Sequence, residues 1–192
     1  MASDWVPIVS AACGAVIALT GSLLTGVRAD RSQRSRDRES ERLSTYAEFA
    51  VALDAAHAAL REVARSDPAD EDRYTRAVAA VHDSKTYSIR ERLLMSGSPE
   101  LVRSGEEAFL RLVAIRNAVR TGARLSTSEF HDVYHPFAEA LWTFRIAVRR
   151  ELGQESFAPD DLGRVSWSEQ ETCPRCGVPA TAGNDEVRTK PD

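Results

Sequence analysis

The residues with the most chemical promise stand near the end of the chain. In ETCPRCGVP, Cys173 and Cys176 are separated by two residues and followed by glycine. Two thiolates on one tight turn can occupy two corners of a tetrahedral zinc site, but a closed site needs four ligands. There is no second Cys-x-x-Cys and no histidine after His135. Each chain therefore offers half a site, Cys173 and Cys176. It would be completed by distant histidines or by the same thiolates of a second copy. A redox pair is another reading, with Pro174 between the cysteines, but such a motif needs a βαβ setting that is absent here. The plainest reading gives the pair no chemistry and the chain no cofactor.

His131 and His135 are four residues apart, with Glu139 one turn further on. On an unbroken helix all three share a face that could hold a metal. Pro136 should disturb that helix by kinking or splitting it at His135. No HExxH arrangement is present, so capping and packing are the plainer roles. His57 and the His82-Asp83 pair read as ordinary interface or surface residues. No Gly-rich phosphate loop or nucleophile elbow occurs, and no catalytic residue can be assigned. The chain is not expected to be an enzyme.

The elements that must carry these residues are helical. Glycine and proline are sparse between the two ends of the 192-residue chain, which favours helices over sheet. Bases and acids balance up to Gly153, and from Gln154 onward eight acids face four bases. No basic patch marks a nucleic-acid partner. The third cysteine, Cys13, lies in an apolar run, and three are too few for a disulfide scaffold.

That run, residues 5–27, reads WVPIVSAACGAVIALTGSLLTGV and carries no charge. As a helix it would extend about 34 Å, against a hydrocarbon core of about 30 Å. The only charged side chain before it is Asp4; Arg28, Arg31, Arg34, Arg36, Arg38 and Arg42 follow. A cleaved signal needs the reverse order, and a buried helix of a soluble protein is the third reading. The order fits an uncleaved single-pass anchor in the inner (plasma) membrane, with residues 1–4 outside and the bulk of the chain cytoplasmic. The lipid bilayer is then the first partner. Ser10, Gly14, Ala18, Ser22 and Gly26 recur every fourth position. Such a stripe lets two helices approach closely in lipid, a route to a homodimer.

Residues 28–42 form a charged juxtamembrane helix, solvated on all sides. Residues 43–153 carry four amphipathic stretches. The first holds Leu43, Tyr46, Phe49, Ala50, Leu53, His57, Leu60 and Ala64. The second starts at Asp67-Pro68, carries Tyr74, Ala77, Val78, Val81, Ile89 and Leu93, and stops at Gly97. The third starts at Ser98-Pro99-Glu100, carries Leu101 to Val119, and stops at Gly122. The fourth starts at a Ser126-x-x-Glu129 capping box and stops at Gly153. The expected fold is all-α: a transmembrane helix continuing into a cytoplasmic antiparallel four-helix bundle. Residues 154–192, carrying CPRCG, read as a disordered acidic tail. One island, Phe157–Trp167, has the apolar residues to dock on the bundle.

The stretch VPIVSAACGAVIALTGSLLTGVRADRSQRSRDRESER and the alanine-rich body resemble uncharacterised small single-pass membrane proteins of actinomycetes. The resemblance covers about a fifth of the chain. It implies a short span, an Arg-rich helix and an Ala-rich helical domain; some proteins of this layout are associated with plasmid spread. The reading from the residues is a membrane-anchored interaction or scaffold module with a cytoplasmic protein partner. The alternative is a membrane-tethered zinc- or redox-responsive sensor built on Cys173 and Cys176.

Overall fold

The computed structural model describes residues 6–66 and 70–176, with side chains described for 33–66 and 72–176. The fold is all-α: α1 Val6–Arg65, α2 Asp70–Asp83, α3 Thr86–Ser96, α4 Pro99–Arg120 and α5 Ser128–Glu151. Two short 3-10 turns follow, Pro159–Leu162 and Gln170–Thr172, and no strand occurs among the described residues.

The chain divides into two compact units, Met1–Ser44 and Thr45–Asp192. In the first, the backbone is helical from Val6 and residues 33–41 are exposed. Gln33 Nε2 donates to Asp37 Oδ1 at 2.8 Å, an i,i+4 bond of the kind that supports a solvated helix. Among the described residues no helix is long and apolar enough to cross a membrane. The side chains of the span expected over 5–27, with its small-residue stripe, lie outside the described residues.

The second unit is built around aromatic and leucine side chains on three-to-four-residue spacing. Tyr46, Phe49, Leu53, Ala56 and Leu60 from α1 are essentially inaccessible, as are Leu93 of α3, Leu112 and Ile115 of α4, and Phe130, Phe137 and Phe144 of α5. Each leucine, isoleucine or phenylalanine among them contributes about 1.5–3 kcal/mol by leaving water. Phe49 and Phe144 meet edge to face, with ring centroids 5.4 Å apart. They meet over Gly105 of α4. A Cβ on Gly105 would stand 2.5 Å from Leu93 Cδ2 and 3.4 Å from both phenyl rings. Glycine thus costs some helix propensity and lets α1, α3, α4 and α5 converge on one point.

Helix ends follow the residues that can satisfy them. Ser98 Oγ accepts from the Leu101 N–H at 3.4 Å, with Pro99 in the first turn. After α4, Gly122 takes φ 113. Its N–H donates to the Val119 carbonyl at 3.2 Å, and the Ala123 N–H to that of Ala118 at 2.9 Å. This paired reversal ends a helix only where the left-handed residue has no Cβ to clash. Gly153 (φ 66) repeats it after α5, with Gly153 N–H to Arg150 and Gln154 N–H to Arg149, both 2.9 Å.

Several expectations are corrected. The second expected helix is two helices, so the body has five segments rather than four. Lys85 adopts φ 60, and the Ser84 hydroxyl turns back onto the Val81 carbonyl at 2.8 Å, which breaks the ladder. The apolar face of α2 is rotated from the expected one. Arg73, Ala77, Ala80 and Val81 are buried, while Tyr74 is 50% exposed. The guanidinium of Arg73 can go inside because the end of α4 awaits it: Nε donates to the Val119 carbonyl at 2.7 Å and Nη2 to that of Ala123 at 2.8 Å. A cation is favourable at a helix C-terminus, where carbonyls lack partners. The fourth expected helix starts at Ser128, with Thr127 as N-cap, and no Ser126 capping box forms. Pro136 does not split α5, which is continuous across it; the one missing N–H leaves only the Asp132 carbonyl without its helical donor. The tail is not free throughout. Residues 154–176 fold back as a strap, and 177–192 lie outside the described residues.

Gly105→Ala should destabilise the unit by about 1–3 kcal/mol through overpacking, more than the roughly 1 kcal/mol it gains in helix propensity. Urea denaturation would show this as a lower midpoint. Combining it with Leu93→Ala should cost less than the sum of the two single changes, because Leu93 is the atom in the way.

His57 gives a pH signature. Its ring stacks on Tyr134 (centroids 5.2 Å) and leans on Phe137 (5.1 Å). Its buried Nε2 has no hydrogen-bond partner among the described residues. Burial, helped by the Arg61 charge, pushes its pKa down from 6.5 to about 4. The unfolded chain therefore binds this proton before the folded one does. The contribution is complete above pH 6.5 and is lost as pH falls towards 4, by at most about 1.4 kcal/mol per pH unit. His57→Phe should flatten the stability profile between those values. Parallel profiles for the two proteins would show that His57 does not carry this dependence.

Candidate metal centre

α5 brings His131 and His135 onto one face, one turn apart, with ring centroids 5.9 Å from each other. The strap brings the cysteines to them. It leaves α5 at Gly153 and is pinned first by aromatic packing. Trp167 stacks on Trp142 of α5 at 4.7 Å, and Phe157 meets both indoles edge-on. The guanidiniums of Arg145 and Arg164 cover Trp142 at 4.8 and 5.6 Å, contacts worth about 0.5–1 kcal/mol each at an exposed site. Of the apolar island, Phe157 and Trp167 do the docking; Leu162 and Val165 remain 50% and 73% exposed. Ser166 Oγ then accepts the Glu169 N–H at 3.0 Å, and Glu169 (φ 52) turns the chain towards Cys173.

The result is a four-residue cluster. One ligand atom from each of His131, His135, Cys173 and Cys176 lies within 4.8 Å of the others. Cys173 Sγ stands 3.3 Å from His131 Nδ1. In a tetrahedron with Zn–S of about 2.3 Å and Zn–N of about 2.0 Å, ligand atoms are about 3.3–3.8 Å apart. The cluster can close on one ion by shifts of under about 1 Å. Cys173 and His135 are buried, while His131 and Cys176 are partly so.

The outer partners orient the imidazoles. His131 Nε2 is 3.0 Å from the Leu125 carbonyl, and His135 Nδ1 is 3.0 Å from that of Ser168. A carbonyl oxygen only accepts, so these nitrogens carry the protons. The opposite nitrogens, Nδ1 of His131 and Nε2 of His135, are the ones left for the centre. His135 Nε2 is buried and has no hydrogen-bond partner among the described residues. A metal ion would satisfy it. Donation from the far ring nitrogen to a carbonyl is the usual support for a metal-bound histidine. The Leu125 that accepts from His131 also donates its own N–H to the Ala64 carbonyl at the end of α1, 3.3 Å.

The thiols sit on a turn in which the Cys176 N–H donates to the Cys173 carbonyl at 3.2 Å. Burial alone would raise the Cys173 pKa. Hydrogen bonds from the backbone N–H groups of Arg175 and Cys176, the Cys176 thiol and the Arg175 charge bring it below the ordinary thiol value. Cys176 moves the other way, raised by burial, by its hydrogen bond to Cys173 and by the charges of Cys173 and Asp132. Of the two thiols, Cys173 is thus the easier to deprotonate. Thiolate is the form that binds metal.

The pairing of Cys173 and Cys176 was legible in the sequence, but the two histidines were set aside because of Pro136. With α5 unbroken, one chain brings all four groups together, which is the completion by distant histidines that the sequence left open. Glu139 does not join them; it is exposed and absent from the cluster. His82 and Asp83 pair at the surface, 80% and 77% exposed, as expected. The signal that would have joined the halves is the coexistence of His-x3-His on a helix and Cys-x2-Cys-Gly in one chain. Two imidazoles and two thiolates are a soft, four-ligand set suited to zinc. No family model, curated protein or solved structure matches the chain.

Proposed function

We propose that this chain is a membrane-tethered helical interaction module whose C-terminal strap is locked to α5 by a structural zinc ion. The observation that carries the reading is the convergence of His131, His135, Cys173 and Cys176 within 4.8 Å, with both imidazoles oriented from behind by carbonyls. Zinc would bind to Nδ1 of His131, Nε2 of His135 and the two sulfurs. It would supply folding energy rather than Lewis-acid chemistry, since no coordination position is left open. The chain is read as a binding protein, not an enzyme.

The tether rests on the uncharged run at 5–27 and the arginines that follow it, which favour an N-outside single pass in the inner membrane. The Ser10, Gly14, Ala18, Ser22, Gly26 stripe supports a homodimer through that span. The bundle then faces the cytoplasm, where it meets a protein partner, and the cysteines are kept reduced and available to metal. A C-terminal reporter active only in the cytoplasm should be active and membrane-bound; a soluble product would remove the tether from this reading.

Metal content tests the centre. The full chain, purified in detergent, should carry about one zinc per chain, and cobalt substitution should give the thiolate charge-transfer and tetrahedral d–d bands of an S2N2 site. Cys173→Ser with Cys176→Ser, or His131→Ala with His135→Ala, should each abolish stoichiometric binding. One zinc per two chains, retained by the histidine variant, would instead mean four thiolates shared between two copies. A chain that takes up neither metal would end the zinc reading.

A further inference from the structure

The zinc centre proposed above is the premise of this inference. Its two thiolates belong to one four-residue turn, already closed by the Cys176 N–H to Cys173 carbonyl bond. Their sulfurs are neighbours in the cluster, so they can reach disulfide distance by side-chain rotation, without unfolding a helix. Access is unequal: Cys173 is buried, whereas Cys176 is partly exposed. The two histidines are held differently, on the rigid face of α5 with carbonyls behind them. Losing the sulfurs leaves two imidazoles, half of the tetrahedron. Beyond the Trp142–Trp167 stack, the described strap depends on this corner: the His135–Ser168 hydrogen bond and the Cys173–His131 approach tie it to α5.

We infer that the centre is a peroxide-sensitive latch, in which oxidation of Cys173 and Cys176 to a disulfide expels the zinc and frees Glu169–Cys176 from α5. The oxidant is hydrogen peroxide. The more accessible Cys176 thiolate attacks one peroxide oxygen; the O–O bond breaks, hydroxide leaves and Cys176 becomes a sulfenic acid. The Cys173 thiolate attacks that sulfur, the S–S bond forms and a second hydroxide leaves. Two electrons pass from the two sulfurs to the two oxygens, the hydroxides take protons from solvent, and Zn2+ departs to water. In a reducing compartment such a disulfide forms only under oxidant and is undone by thiols. Those are the conditions a sensor requires.

The test uses the full chain in detergent, first shown to hold zinc. Failure at that step defeats the metal reading itself, and this inference with it. Hydrogen peroxide is then added stepwise. A chromogenic chelator reads free zinc, intact mass reads the loss of about 2 Da that marks a disulfide, and hydrogen exchange reads Glu169–Cys176. Zinc release in step with disulfide formation, faster exchange in that segment only, and reversal by a dithiol plus zinc are expected. Cys176→His keeps two imidazoles, adds a third and retains one thiolate; it should bind zinc and hold it under the same peroxide. Zinc that stays bound in the native chain, or leaves it and the Cys176→His variant equally, would overturn the latch. So would oxidation to sulfinic acid without a disulfide.

Discussion

The second unit of this chain depends on a missing side chain. Four helices reach the same point, and the space they share is the one that a Cβ on Gly105 would fill. Because Leu93, Phe49 and Phe144 all press on it, α4 lies close enough to seal the aromatic interior from both sides. Packing of this density tolerates neither extra atoms nor lost ones. The rest of the unit, including the placement of α5 and therefore of the histidine face, is referred to that approach.

A second constraint links this interior to the candidate centre. The turn between α4 and α5 is held from three directions. Arg73 of α2 binds its Val119 and Ala123 carbonyls, the end of α1 accepts the Leu125 N–H, and His131 donates to the Leu125 carbonyl. Hydrogen bonds in such a chain polarise one another, and each fixes the direction of the next. The imidazole of His131 is therefore oriented by the same segment that terminates α4. The centre is not an appendage on a loop; one side of it belongs to the helical framework and the other to the returning strap.

How much of this was legible in the sequence varied with the range of the interactions responsible. The helix ends at Ser98, Gly122 and Gly153 could be read because capping is local, settled by one residue and its neighbours. The break at Lys85 could not, since a lysine in left-handed geometry has no sequence signature; it is the Ser84 and Thr86 hydroxyls that make it tolerable. The buried Arg73 contradicts any apolar pattern, and only the carbonyls of another helix explain it. Pro136 misled because a proline within a helix removes one hydrogen bond, and packing of Phe130, Phe137 and Phe144 on the core outweighs that loss. The strap was hardest. Its polar, proline-punctuated composition resembles a free tail, and two aromatic residues plus a terminal turn suffice to fold it back. Each half of the four-residue cluster was visible, while their meeting depended on 23 residues of chain path between Gln154 and Cys176.

That path gives the strap a topological consequence. A metal bridging His131 and Cys173 would join positions 42 residues apart. It would act on the denatured chain as a cross-link does, removing about 4 kcal/mol of loop entropy in the ideal-chain description. The gain would fall on the elements inside the loop, α5 and the strap, whose ends are the positions joined. Elements outside the loop, such as α2 and α3, would share in it only through packing. Occupancy of one small corner would thus set the cooperativity of α5 and the strap, making the difference between a strap that frays independently and one that unfolds only when α5 does.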